Sequence, residues 1–367
     1  MERCTMCIWP LNLPTIKLNE NNICNYCQSF LSLKKKYTQK LSKEKLINYL
    51  HKKKGSTKSK YDCLIGLSGG KDSTYVLYLA VKELNLNVLT YTYDNSFRSE
   101  DANKNVENTL NILGCDHIWV KPDPQLIYSL MNIFIRNTGE FCTPCLMGID
   151  IAGEKIAQNY DIKISLGGSS WRIDVGVDGM SISTYYDRIY FNNVIKHKIS
   201  KKHLKEFYGS SYLLKGVKKI WGAHADIINI YDYYEIDINS INATLKKELK
   251  WVKPCGELQH GDCVLDKLKD YLQFRKWGCS ELTGYYSSLV RNGEISREDA
   301  IEKSINEERK EEPEILSTFL NKLDLSYEDY LDAINNKHFT DVKNIKNSKF
   351  FLYSKSFVNN INELRRK

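Results

Sequence analysis

The chain has 367 residues, a formal net charge of +8, 42% hydrophobic residues, 24 tyrosines and 11 cysteines. That length calls for two or three structural units with a sizeable core, and the mixed charges with plentiful Leu, Ile and Val exclude a disordered chain. No apolar run has the length of a membrane span or the layout of a cleaved leader, so the expectation is a cytoplasmic protein with no membrane partner.

In a reducing compartment, cysteines spaced C-x-x-C point to metal or redox chemistry rather than to disulfides. Residues 1–30 carry Cys4-x-x-Cys7 and Cys24-x-x-Cys27, and each pair presents two thiolates from one tight turn. Their spacing fits a tetrahedral Cys4 site, so a structural Zn2+ knuckle is expected here. Residues 31–60 read as a basic helical linker. Leu31, Leu33, Tyr37, Leu41, Leu46, Ile47 and Leu50 fall on one face of an amphipathic helix, and the lysines between Lys34 and Lys60 occupy its wet side. The net charge, otherwise scattered, reads as a solvated basic surface.

From 61 to 254 strands alternate with helices. Strands are expected at 61–67, 86–93, 117–120 and 162–166, and helices at 73–84, 100–113, 125–136 and 146–158. Repeated βαβ units of this length predict an α/β fold with a doubly wound, mostly parallel sheet. After Trp251 the strand signals stop, and residues 255–367 read as a helical C-terminal unit with helices at 265–277, 279–291, 296–310 and 326–335. Ser326-x-x-Asp329 has the form of a helix N-cap.

The most informative segment is the strand 63–67 followed by Ser68-Gly69-Gly70-Lys71-Asp72-Ser73 and a helix. Glycines let backbone N–H groups crowd round an oxyanion, and a helix N-terminus adds free donors and positive dipole, so phosphate is the natural guest. Asp72 stands where a Walker A loop has Ser or Thr, so the loop is of another kind. It resembles the PP-loop of the adenine-nucleotide α-hydrolase superfamily, a HUP-like fold. The resemblance implies that ATP is held by its β and γ phosphates while a substrate oxygen attacks the α phosphate. Ser68, Gly69, Gly70 and Ser73 would then be pyrophosphate donors, Lys71 a charge neutraliser and Asp72 a Mg2+ or loop-ordering residue. Asp94-Asn95 and Gly167-Gly168-Ser169-Ser170 end later strands, where ligands of open α/β sheets bind. Arg172 follows as a candidate to pair with the α phosphate or a substrate carboxylate, with an ordinary glycine turn and a surface Arg as the alternative.

Over nearly its whole length the chain resembles the N-acetyl sugar amidotransferase family of this superfamily. The features that carry the resemblance are the paired C-x-x-C motifs, the lead-in 61–65, Leu249-Lys250-Trp251, Lys276-Trp277-Gly278, and the runs 287–293 and 296–300. The resemblance implies adenylylation of an amide oxygen of an N-acetyl sugar or nonulosonic acid, followed by attack of ammonia. No glutaminase motif is present, so it also implies a separate glutaminase subunit. One feature departs from that pattern. Cys142-x-x-Cys145 with a distant Cys263 resembles the tRNA thiolases of the same superfamily, where three cysteines hold a 4Fe–4S cluster; this would bring in nucleic acid as a partner. Cys255 competes as third ligand, and a second zinc site, a redox disulfide or packing cysteines stand as alternatives. His260 and Asp262, in a Gly-containing turn beside Cys263, are candidates for substrate orientation, metal ligation or acid/base work, with a structural turn as the alternative.

Overall fold

The computed structural model describes residues 2–37, 41–53, 58–175, 188–196, 198–200, 204, 207, 225–234, 237–254, 261–337 and 341–342. The expected doubly wound sheet is present as five parallel strands: β1 (Cys63–Gly66), β2 (Val88–Tyr93), β3 (Asp116–Val120), β4 (Ile164–Gly167) and β5 (Asp226–Asn229). Their order is β3-β2-β1-β4-β5. The chain therefore winds outward from β1 in one direction, then returns and winds outward from β4 in the other. The gap between β1 and β4 is the topological switch point, and the loops leaving both strands open at its carboxyl edge.

Most elements follow from local chemistry. Helix α1 (Asn25–Tyr37) and helix α2 (Lys43–Lys53) replace the single amphipathic helix expected over this stretch. Leu46 and Leu50 of α2 join the core beneath β1 and β4. Helix α3 (Lys71–Tyr78) runs on into a π-helical stretch, Leu79–Glu83. Helix α4 (Glu100–Leu113) starts where Ser99 accepts from Ala102 N and stops at Gly114 in the left-handed region, as cap chemistry requires. Helix α5 (Pro124–Thr138) has Asp123 as its cap and Pro in its first turn. Helix α6 (Thr143–Asn159) begins three residues before the expected position, at the Cys142 turn.

The sheet has a different core on each face. Val76, Leu77 and Val106 from α3 and α4, with Ile241, Leu245 and Leu249 from a further helix (Ile238–Leu249), cover one face; Ala152, Ile156 and Ala157 of α6 cover the other. A third core joins α5 to the helical C-terminal unit through Phe134, Phe141, Leu268, Phe319 and Tyr330. The C-terminal helices Asp266–Trp277, Glu281–Asn292, Arg297–Glu307 and Tyr327–Asn336 match the expected ones within a few residues. Ser326 caps the last by accepting from Asp329 N. Helix Ile315–Leu323 and strand β5 were not foreseen. Among the described residues no helix is long and apolar enough to cross a membrane.

Candidate functional site

The loop between β1 and α3 is closed by its own hydroxyls. Ser73 Oγ accepts from Ser68 N at 3.1 Å and lies 3.0 Å from Ser68 Oγ, which in turn accepts from Gly70 N at 3.2 Å. Gly69 has φ +83°, and a Cβ there would fall 2.1 Å from Ala102 O. Only glycine fits so close a passage of loop under helix. The Gly69 carbonyl accepts from Trp251 Nε1 at 2.9 Å and from Asn105 Nδ2 at 3.1 Å. Asn105, 1% exposed, also exchanges hydrogen bonds with the backbone of Val252. The loop is therefore pinned from behind, with the N-terminus of α3 left to face the switch point. Lys71 Nζ donates to Asp72 Oδ1 at 2.5 Å, and the Asp72 side chain is 49% exposed.

Across the switch point, Gly168 lets the end of β4 lie against α3: a Cβ there would be 3.1 Å from Asp72 Cβ. Gly167 lies beside it at the strand end, where an added Cβ would meet Asn229 Oδ1 at 3.3 Å. Ser170 N donates to Asp174 Oδ2 and Ser170 Oγ accepts from Arg172 N. Arg172 has partners within the fold. Its Nη1 donates to Tyr231 O and Tyr234 O, both at 3.0 Å, and so holds the turn after β5. Trp171, which precedes it, packs against Phe30 and Tyr37 of α1.

The third wall is the turn from β2 to α4. Asp94 accepts from Ser96 N and lies 3.8 Å from Lys121 Nζ. Arg98 donates from Nη2 to Ser68 O at 2.6 Å and from Nε to Asn103 Oδ1 at 2.7 Å. Burial lowers the pKa of this guanidinium, opposed by the charges of Asp262 and Asp94. Arg98 escaped the sequence reading, since an Arg after a strand end carries no motif by itself. Residues 261–264 pair with this turn, and Asp262 stands by the 68–73 loop: a Cβ on Gly70 would lie 3.9 Å from Asp262 Cγ. His260 and Cys255 lie outside the described residues.

Cys145 and Cys263 come together around one amide, Asn95 Nδ2, at 3.3 and 3.9 Å. Cys142 packs on the same core. Burial pushes the Cys145 thiol up to about 11 and Cys263 up to about 12, and raises Cys142 well above its ordinary value. Among the described residues, the metal-ligand atoms that lie within 4.8 Å of one another in a group of three or more are the sulfurs of Cys4, Cys7, Cys24 and Cys27. Cys142, Cys145 and Cys263 therefore do not form a compact one-ion thiolate site.

The N-terminal set does. Cys7 and Cys24 sulfurs are 3.8 Å apart and those of Cys4 and Cys27 4.0 Å apart, with all four residues fully buried. Zn–S bonds of about 2.3 Å in a tetrahedron give sulfur separations of about 3.8 Å, so the four cysteines fit a tetrahedral metal ion. Arg297 donates to the carbonyls of Cys7 and Cys4, both at 3.1 Å, and Cys279 packs into the same cluster. The knuckle is thus clamped to the C-terminal helices.

Residues 230–359 match the family described as LPS biosynthesis protein WbpG-like, C-terminal domain. An uncharacterized protein of Methanocaldococcus jannaschii, MJ1599, is 31% identical over 111 residues, a stretch that spans 30% of this chain and 38% of that relative. Among solved structures, NMN synthetase from Francisella tularensis is 16% identical, with a TM-score of 0.35 and coverage of 76% of this chain and 97% of that one. The U34-tRNA thiolase NcsA from Methanococcus maripaludis, with its 4Fe–4S cluster, is 16% identical, with a TM-score of 0.32 and coverage of 86% and 91%. NH3-dependent NAD synthetase from Campylobacter jejuni is 17% identical, with a TM-score of 0.29 and coverage of 56% and 91%. Likenesses of this size bear on neither substrate nor reaction.

Proposed function

We propose that the chain is an ATP-dependent amidotransferase that activates an amide oxygen of an N-acetyl sugar or sugar acid and replaces it with nitrogen from ammonia. The observation that carries this reading is the Ser68–Ser73 loop, pinned at Gly69 and opening on the switch point between β1 and β4. Backbone N–H groups of the loop and the N-terminus of α3 would hold the pyrophosphate part of ATP, with Lys71 offsetting its charge. The half-exposed Asp72 carboxylate is a hard oxygen donor suited to Mg2+, which would neutralise phosphate charge when bound. The amide oxygen attacks the α phosphorus, the bond to the β-phosphate oxygen breaks, and pyrophosphate leaves. Ammonia then adds to the imidate carbon and AMP departs with the former amide oxygen, leaving an amidine. Such placement of reactants and charge is the main contribution a phosphate loop makes.

The match of residues 230–359 supports a surface-polysaccharide setting. Ammonia would come from a separate glutaminase subunit, and Zn2+ would occupy the N-terminal cysteines as a structural ion. The test is pyrophosphate release by the purified protein given ATP, ammonium and an N-acetyl sugar acid, with mass spectrometry of the product. Release that requires the sugar and yields the amidine is the expected outcome; ATP binding with no such release under any N-acetyl sugar removes the reading.

A second reading, sulfur transfer to tRNA or to a small molecule, is favoured by one observation: two sulfurs converge on Asn95 within the wall of the same site. An iron–sulfur cluster on Cys142, Cys145 and Cys263 would supply the sulfur chemistry, since soft thiolates select such clusters. Anaerobic purification separates the two, because a brown protein absorbing near about 400 nm supports a cluster and a colourless zinc protein supports amidation.

A further inference from the structure

We propose that the β2–α4 turn, residues 94–99, couples the thiols of Cys145 and Cys263 to the phosphate loop, with Asn95 and Arg98 as its positioning residues, so that ATP binding changes access to those thiols. The inference rests on the reading of 68–73 as an ATP loop, but not on which group the activated substrate receives.

One end of the turn holds the sulfurs. Asn95 is 7% exposed, and its Oδ1 accepts from Phe97 N at 2.9 Å. That backbone group can only donate, so the amide is fixed with its NH2 side toward Cys145 and Cys263. Three residues on, the other end holds the phosphate loop through Arg98 and the Ser68 carbonyl. Ser68 is also the residue whose hydroxyl closes the loop on Ser73 and Gly70. Phosphate binding that draws the loop donors inward must act on the Ser68 peptide and hence on the guanidinium attached to it.

Cys263 shares the main chain of this turn. Val264 N donates to Phe97 O at 2.9 Å, Ser99 N donates to Asp262 O at 3.1 Å, and Ser99 Oγ donates to Gly261 O at 2.6 Å. Arg98 and Cys263 are bridge partners, so movement of one carries the other. The groups facing Arg98 are Asp262, Asp94, Cys263 and Cys145, with the Trp119 ring 5.8 Å from its guanidinium carbon and His117 also within its field. Arg98 therefore touches the phosphate loop through its guanidinium and pairs with Cys263 through its backbone. By linkage, whatever ATP does to the thiols, occupation of the thiols does to ATP.

The experiment is the rate at which iodoacetamide alkylates Cys145 and Cys263 in the full-length protein as purified, read by peptide mass spectrometry with and without saturating ATP. ATP affinity is measured on the same samples by calorimetry. Cys115, partly exposed and away from the turn, serves as internal reference. In the wild type, ATP should change both rates about fivefold or more relative to Cys115. In Arg98→Ala, and in the more conservative Arg98→Lys, the change should vanish at ATP concentrations that saturate each variant. Asn95→Ala, which removes the donor that favours the thiolates, should alkylate more slowly even without ATP. Wild type that binds ATP with unchanged alkylation would overturn the coupling, and so would Arg98 variants with an undiminished response, since nucleotide would then be shielding the thiols directly. Wild type that binds no ATP would overturn the phosphate-loop reading and the coupling with it.

Discussion

The two cysteine groups differ in everything except their C-x-x-C spelling. Cys4, Cys7, Cys24 and Cys27 are fully buried, their sulfurs spaced for one tetrahedral ion, with Arg297 binding the carbonyls around them. Cys142, Cys145 and Cys263 are partly exposed, more loosely grouped, and two of them touch a single amide, Asn95, in the turn beside the 68–73 loop. A closed thiolate set satisfies all its ligands internally and adds its binding energy to folding. An open set leaves thiols available, which costs stability and has value only where chemistry or ligand exchange takes place.

The contrast predicts opposite responses to the same substitution. Cys27→Ser should release the metal and destabilise the protein by roughly 4 kcal/mol or more, because Trp9, Leu13 and Cys279 lose the frame they pack on. Cys145→Ser should cost under about 1 kcal/mol in the same denaturant melts; equal losses would erase the distinction. Lys71→Ala should lower the rate of pyrophosphate release about 100-fold while leaving the melt unchanged, since the side chain is on the loop and outside every core. Gly69→Ala lies between these cases. With φ +83° and the Ala102 carbonyl 2.1 Å from the new Cβ, it should cost about 1–3 kcal/mol in stability and weaken ATP binding as well. A variant with wild-type ATP affinity would show that the loop tolerates displacement.

Much of this was readable from residues, because the signals are local. Ser99 and Gly114 bound α4 through caps, and the 68–73 loop announces itself by glycines between a buried strand and a helix. The grouping of Cys4, Cys7, Cys24 and Cys27 follows from ligand spacing alone. What escaped is long-range: β5 is a four-residue strand in which Asp226 and Asn229 flank just two apolar residues, Ile227 and Ile228, so it lacks the unbroken apolar run of a central strand. Arg98 was missed because its partner Ser68 is 30 residues away. The carbonyl acceptors of Arg172 at 231 and 234 were unforeseen for the same reason, since they belong to a turn no pattern predicts.

A further effect, confined to a narrow window, separates the sheet from the knuckle by pH. Thr90 Oγ1 has one proton and donates it to Asp116 O at 2.9 Å, so it accepts from His117 Nδ1 at 2.8 Å. The bare ring nitrogen is then Nε2, which is buried with no hydrogen-bond partner among the described residues. Burial, with Arg98 nearby, pushes the His117 pKa down to about 4. An unfolded His titrates near 6.5, so between about pH 6.5 and 4 the unfolded chain binds the extra proton, and stability falls as pH falls through that window. The ring should contribute on the order of 1–3 kcal/mol to that fall. Acid also displaces metal from thiolates, so the wild-type melt mixes two losses. His117→Asn removes the first and leaves the second. The difference between the two melting-versus-pH curves should be confined to pH 4–6.5 and should persist when metal release, assayed in parallel, is identical in both proteins. Superimposable curves would mean that the His117 ring adds nothing to the acid response and is accommodated in its charged form.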